Sequence, residues 1–257
     1  MFASNYFEEQ MLNLMRGRSI TAPANVFLGL LLSNPQDDAS GLNEVSYSGY
    51  QRQIITFTEP GTAANGLSMQ NDAEIIFPES PIVTQDVSYV GIFDPSGNML
   101  TYSRLETNLR IQAGVSPVFR EGQITLTWSG NMGPYYRRAV MNTLRGQNVS
   151  AFSPFIALCN GDPTGSGNEF SGNGYARIPV VMSAPEQQVS GAALTQNMDD
   201  IISNIATGSW GTLNTIAIMD AATGGNAYAV IAIDSSFVVN TTYSVGFKAG
   251  QIQYNIN

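Results

Sequence analysis

The strongest constraint on this chain is an internal repeat. Residues 13–22, NLMRGRSITA, return at 142–151 as NTLRGQNVSA, so that Asn13, Arg16, Gly17 and Ala22 recur as Asn142, Arg145, Gly146 and Ala151 at an offset of 129. FLGLLLSNP (27–35) aligns with FIALCNGDP (155–163) at an offset of 128. EVSYSGYQR (44–52) aligns with EFSGNGYAR (169–177) at 125. Asn71, Ile75 and Ile76 return as Asn197, Ile201 and Ile202, and VGIFD (90–94) as IAIMD (216–220), both at 126. FREGQI (119–124) closes the series with FKAGQI (247–252) at 128. The matches keep their order and the offset drifts by four residues, as small loop changes between fixed elements would make it drift. The chain of 257 residues is therefore read as two tandem copies, 1–130 and 131–257, joined in the small-residue run SGNMG at Ser129–Gly133.

Each copy opens on a helix signal. Phe7, Met11, Leu14 and Met15 stand at i, i+4, i+7 and i+8, one apolar stripe. Asn5 followed by Glu8 forms a cap-like start, and Gly17 supplies a stop. In the second copy Tyr136, Val140, Thr143 and Leu144 fill the same stripe, with Pro134 suited to the first turn and Gly146 at the end. A helix of about three turns does not hold in water alone, so it must dock on its own module or on a neighbour.

The rest reads as strand and turn. Apolar runs at 26–32 and 155–159, the segments 52–58 and 177–183, and the closing runs 123–128 and 251–256 have strand composition. The segments 86–94 and 212–220 run into the turns DPSGN and DAATGGN, which lead into 99–105 and 227–233 as hairpins. About six strands per copy, with no alternating helices, predicts a mainly β chain of two tandem Ig-like, Greek-key β-sandwich modules, each preceded by a short α-helix.

Composition then removes whole classes of function. There is no histidine, one cysteine (Cys159) and one lysine (Lys248). This excludes Ser-His-Asp and Cys-His sites, imidazole metal ligands, an intrachain disulfide and a Cys-rich zinc site. Charged residues make up 12%, about half of the usual ~25%, which suits surfaces that neighbours cover. The net charge is −9 and no basic run occurs, so no nucleic-acid partner is expected. The first 130 residues hold 13 acidic and 6 basic groups (−7), the remainder 7 and 5 (−2). No apolar stretch approaches the ~20 residues of a membrane span, so no membrane insertion is expected. MFASNYFEEQ lacks the regions of a signal peptide, which points to synthesis in a cytoplasm.

The repeat unit has an order of its own: an N-terminal helix, TAPANV, an apolar strand ending in Asn/Asp-Pro, EVSYSGYQR, VGIFDPSGN and a closing F-x-x-G. The second copy carries it as DP at 162–163, EFSGNGYAR, GSWGTLNTIAIMDAATGGN and FKAG. In this order the unit resembles the tail-fibre-type virion proteins of tailed bacteriophages, over most of the chain. Doubling departs from the usual single-domain pattern of that family. The resemblance implies a structural virion component made in the host bacterial cytoplasm. Its partners would be other virion proteins and copies of itself in a symmetric assembly. It leaves open fibre, baseplate, collar and capsid surface, and it names no chemistry. A host glycan is a possible further partner that no duplicated aromatic platform supports, since Trp128 and Trp210 do not align.

No catalytic residue, metal ligand or cofactor site is expected. Asp94 and Asp220 precede Gly-rich turns without calcium-loop spacing and read as turn formers. The pairs Asp37-Asp38 and Asp199-Asp200 do not match each other, and neighbours on a strand point apart. Cys159 aligns with Leu31 and reads as a small buried hydrophobe. The recurring Gly49-Tyr50-x-Arg52 and Gly174-Tyr175-x-Arg177 put Tyr and Arg on one strand face, with Glu44 and Glu169 as candidate arginine partners. They form either an internal structural pair or a contact to a partner subunit. The near-neutral second copy is the candidate for the more buried module, the acidic first copy for the more exposed one.

Overall fold

A computed structural model describes residues 2–64, 66–83, 86–129, 132–164, 168–188 and 191–256. Gly130 and Asn131 of the expected junction lie outside the described residues. The first copy runs β1 (Phe2–Ala3), α1 (Asn5–Met15), β2 (Val26–Leu31), β3 (Gln53–Ile55), β4 (Gly61–Ala63), β5 (Gly66–Gln70), β6 (Ile75–Ile76), β7 (Asp86–Phe93), β8 (Met99–Arg110), β9 (Val118–Phe119) and β10 (Thr125–Trp128). The second runs α2 (Pro134–Thr143), β11 (Phe155–Cys159), β12 (Ile178–Pro179), β13 (Glu186–Gln187), β14 (Ala193–Gln196), β15 (Ile201–Ile202), β16 (Gly211–Met219), β17 (Ala227–Val239), β18 (Gly246–Phe247) and β19 (Gln253–Ile256).

Every pairing between these strands is antiparallel. The first copy has a main sheet ordered β1-β8-β7-β2-β3, a second sheet β10-β5-β4 and a ribbon β6-β9. The second copy repeats it as β12-β11-β16-β17, β13-β14-β19 and β15-β18. Its counterpart of β1 is a single bridge, Met132 to Ala229. The fold is thus mainly β, each copy a sandwich opened by one short helix.

Both faces of the main sheets are buried, which follows from the apolar runs at 26–32 and 155–159. Leu28, Leu30, Val90 and Ile92 face a large core shared with Met69, Leu126, Ile156, Leu158, Ile216 and Ile218. On the opposite face Leu31, Phe93, Met99 and Tyr102 form a satellite cluster in copy one. Ala157, Cys159, Ala217, Met219 and Ala227 form the matching cluster in copy two. Cys159 is fully buried there, with burial pushing its thiol up to about 12.

Several expected boundaries move, each for a visible reason. The cap of α1 is Ser4 rather than Asn5: its hydroxyl accepts from the Phe7 N–H at 3.2 Å and donates to the Met99 carbonyl. Segments 52–58 and 177–183 are strands only over Gln53–Ile55 and Ile178–Pro179, because the chain there changes sheets. Phe57 then bridges Asn71, and Met182 bridges Asn197. The strands expected over 99–105 and 227–233 extend to Arg110 and Val239. Their outer halves are largely exposed, so the main-chain ladder to β7 and β16 holds them without an apolar pattern to announce them. Short strands of two or three residues bring the described total above six per copy.

Both helices end alike. Gly17 N–H donates to the Leu14 carbonyl and Arg18 N–H to Asn13; Gly146 and Gln147 do the same to Thr143 and Asn142. Gly17 (φ +84°) and Gly146 (φ +78°) supply the left-handed residue this ending requires. The stripe Phe7, Met11, Leu14 and Met15 is buried, as are Tyr136, Val140, Thr143 and Leu144. Five buried apolar side chains of α1, Leu12 among them, contribute on the order of 10 kcal/mol as an upper figure. That offsets the poor stability of an isolated helix of 11 residues.

Candidate functional site

The helices do not dock within their own copies alone. α1 packs on β1 and β8 of its own copy and on β14 and β19 of the other. α2 packs on its own β17 and on β5 of the first copy. The seam is reciprocal. Ile20 N–H donates to the Val149 carbonyl at 2.9 Å and Val149 N–H to the Ile20 carbonyl at 3.0 Å. These two residues are equivalent in the repeat, so a local two-fold axis passes through the pair. Arg16 Nε donates to the Met182 carbonyl at 3.3 Å, and Arg145 Nε to the Phe57 carbonyl at 3.2 Å. Asn13 and Asn142 each accept from the arginine three residues on. The Tyr136 hydroxyl, fully buried, donates across the seam to the Met11 carbonyl at 2.6 Å.

Within each copy, the repeated Glu, Tyr and Arg converge on one point. Glu44 precedes β3 and bridges Leu31, and Glu169 bridges Cys159. Tyr50 and Arg52 follow a turn at Gly49 (φ +90°), Tyr175 and Arg177 a turn at Gly174 (φ +77°). Tyr50 donates to Glu44 Oε1 at 2.8 Å, and Arg52 grips the carboxylate through Nε at 3.0 Å and Nη2 at 2.8 Å. Tyr175 donates to Glu169 Oε1 at 3.0 Å, and Arg177 reaches Oε1 and Oε2 at 2.7 Å each. Each phenol also accepts a main-chain N–H from the neighbouring strand, from Leu30 at 2.9 Å and from Leu158 at 3.1 Å. Burial first, and the adjacent carboxylate, hold both phenols far above their ordinary range. The hydrogen bonds it donates to Glu169, opposed by burial, raise the Arg177 guanidinium.

The two clusters differ at the arginine's outer face. Arg52 lies over the Phe93 ring, 3.4 Å from its centre, a cation–π contact. Arg177 instead donates through Nη1 to the Ala221 and Gly224 carbonyls, 2.6 Å each, tying the cluster to the following turn. In that turn Asp220 accepts from the Asn226 N–H at 2.6 Å and its side-chain amide at 2.9 Å. Asp94 holds Asn98 identically, at 2.9 and 2.8 Å. Each carboxylate thus closes its own hairpin. Every polar atom of the Glu–Tyr pairs has a partner, so the arrangement acts as a clamp between loop and sheet and has no free acid or base to offer.

Sequence reasoning singled out Asn71 and Asn197 only as matches; the structure gives them a role. Asn71 is fully buried and donates to the Ala73 and Arg120 carbonyls at 2.8 and 2.9 Å, while accepting from the Ile124 N–H at 2.8 Å. Asn197 makes the same three bonds to Asp199, Lys248 and Ile252. Each welds the F-x-x-G-Q-I segment to the second sheet. The acidic pairs are dispersed. Asp37 accepts from the Tyr102 hydroxyl at 2.6 Å, Asp38 from the Ser40 N–H, and Asp200 pairs with Lys248 at 2.6 Å. Trp210 is buried and stacks edge-on with Tyr175. Among the described residues no group of three His, Cys, Asp or Glu could hold a metal ion, and no helix is long and apolar enough to cross a membrane.

The family described as Podophage GP4 fiber I protein gp80 matches the chain twice, over residues 2–127 and again over 131–255. No curated protein matches it.

Proposed function

The chain belongs to the Podophage GP4 fiber I protein gp80 family, a phage fibre family, and from that premise we propose that it is a non-enzymatic structural part of a bacteriophage virion. It works by protein–protein assembly at the tail, as a fibre, baseplate or fibre-adaptor protein. Its two family units, 1–130 and 131–257, act as tandem modules. One observation carries this reading: the same Glu–Tyr–Arg clamp, Asp–Asn turn closure and buried Asn recur in both units. Polar groups that an enzyme would spend on a substrate are spent here on holding loops to sheets. Two such units on a local two-fold axis give one chain two like positions in a rotationally symmetric assembly. Its partners are then other virion proteins and further copies of this chain, and its place is the virion, after synthesis in the host cytoplasm.

Gold-labelled antibody against the protein, applied to purified virions, tests the location. Label at the tail is expected. Label confined to the capsid surface would shift the protein to a decoration role, and no label on virions that contain other tail proteins would sink the proposal. Limited proteolysis of intact virions tests the arrangement, with cleavage in the acidic first unit expected before cleavage in the second.

A further inference from the structure

Among the described residues Glu8 is the one carboxyl group that is fully enclosed, at 1% exposure, and it lies on the seam. It sits in the first turns of α1, on the face packed against the second copy. Its Oε2 is buried with no hydrogen-bond partner, as is the Oδ1 of Asn5 one turn before it. The groups around it come from every side of the helix. The Asp37 carboxylate faces it from the loop after β2, and the Tyr102 phenol, which donates to Asp37, from β8. The Gln187 amide and the Ala193 N–H donate to it from the β13–β14 arm of the second copy, and favour its ionised form by less than burial and Asp37 oppose it. Of the remaining packed strands, β19 brings Tyr254 and β1 brings no titratable side chain, while Glu9 on α1 itself is exposed. None of the ion pairs among the described residues includes Glu8. The repeat places Arg137 at the equivalent position of α2, so this carboxyl belongs to one side of the seam only.

We propose that Glu8 is a proton-operated latch on the seam between the two copies. Protonated, it lets α1 lie closed against the β13–β14 arm. Ionised, it is an enclosed negative charge facing Asp37 with no cation beside it, and the arm separates from α1 to admit water. A buried carboxylate with no cation partner is costly, and it escapes that cost by binding a proton or by gaining solvent. Burial first, and Asp37 second, raise this carboxyl from 4.5 to about 7. The sign follows: the closed seam binds the proton more tightly than the open one. Closure is therefore strongest below about pH 4.5, weakens as pH rises, and levels off above about 7. The range corresponds to a change of up to about 300-fold in the closed-to-open ratio.

Hydrogen–deuterium exchange of the full chain tests this, comparing wild type with Glu8→Gln at the same pH so that intrinsic exchange cancels. Amides of Ala193–Gln196 and of α1 should exchange alike in the two proteins at about pH 4. At pH 8.5 they should exchange at least tenfold faster in wild type, with the β16–β17 amides unchanged. Equal exchange at both pH values overturns the proposal. So does a difference spread evenly over the whole chain, which would show global loss of stability rather than a seam that opens. Asp37→Asn provides a second variant that leaves Glu8 in place. It should shrink the pH-dependent change and move its midpoint to lower pH, because Asp37 is one of the groups that raise this carboxyl, and an unmoved midpoint counts equally against the latch.

Discussion

Removing the charge of Glu169 should separate a clamp whose arginine is buried from a twin whose arginine is partly exposed, the two glutamates being 25% and 20% exposed. Glu169→Gln keeps the side chain's size and one acceptor oxygen but leaves Arg177, whose side chain is 6% exposed, without a counter-charge. Breaking one side of a buried pair costs about 3–5 kcal/mol. Arg177 keeps the Ala221 and Gly224 carbonyls at 2.6 Å, so the cost belongs at the lower end, about 3 kcal/mol. Glu44→Gln removes the same bonds, but there the side chains are 24% and 20% exposed and Arg52 lies on the Phe93 ring. Solvent screens that loss, so it should cost about 1–2 kcal/mol. Urea unfolding followed by tryptophan fluorescence suits the comparison, because Trp210 lies 5.5 Å from the Tyr175 ring. Midpoints shifting by unequal amounts at constant slope, the larger for Glu169→Gln, are expected. Equal shifts, or both below about 0.5 kcal/mol, would refute the reasoning that burial sets the strength of these clamps.

Three further outcomes follow from the same geometry. Asn197→Ala removes the side-chain partners of the Asp199 carbonyl and the buried Ile252 N–H, while the Lys248 carbonyl keeps the Gln251 N–H, and should lower stability by about 2–3 kcal/mol in the same urea assay. Gly17→Ala would place a methyl group 2.2 Å from the Phe152 carbonyl oxygen at a φ of +84°, so it should destabilise by at least about 2 kcal/mol and broaden the thermal transition. Cys159 should stay unreactive to a thiol probe in the native protein at pH 8 and react fully in urea, since burial both hides the sulfur and holds its thiol at about 12.

The repeat made a good part of this molecule legible before any coordinate. Aligning the copies paired Asp94 with Asp220 and Glu44 with Glu169, and their partners proved to lie a few residues away on the same hairpin or loop. Contacts that are local in sequence leave a spacing, and the spacing was conserved between copies: the tyrosine six residues after the glutamate, the arginine eight. The seam left no such trace. Arg16 and Arg145 were visible as repeats, but their acceptors are main-chain carbonyls of Met182 and Phe57, and a carbonyl carries no side-chain identity. Glu8 looked like a first-turn capping residue because burial by another copy cannot be read from its own helix. The capping role of Ser4 depends on a second bond, from its hydroxyl to the Met99 carbonyl of β8, which no local spacing announces. The outer halves of β8 and β17 escaped because they are polar and held by backbone alone.

The central claim is that two fibre-family units fold against each other through exchanged helix contacts and stand together in a virion. A cryo-electron-microscopy map of the purified phage tests it most directly. Tail density holding both units of one chain is expected, with α1 and α2 each enclosed between them and Ile20 beside Val149. Density showing the units apart, each helix folded only onto its own sandwich, or no density for this chain in an otherwise complete virion, would contradict it.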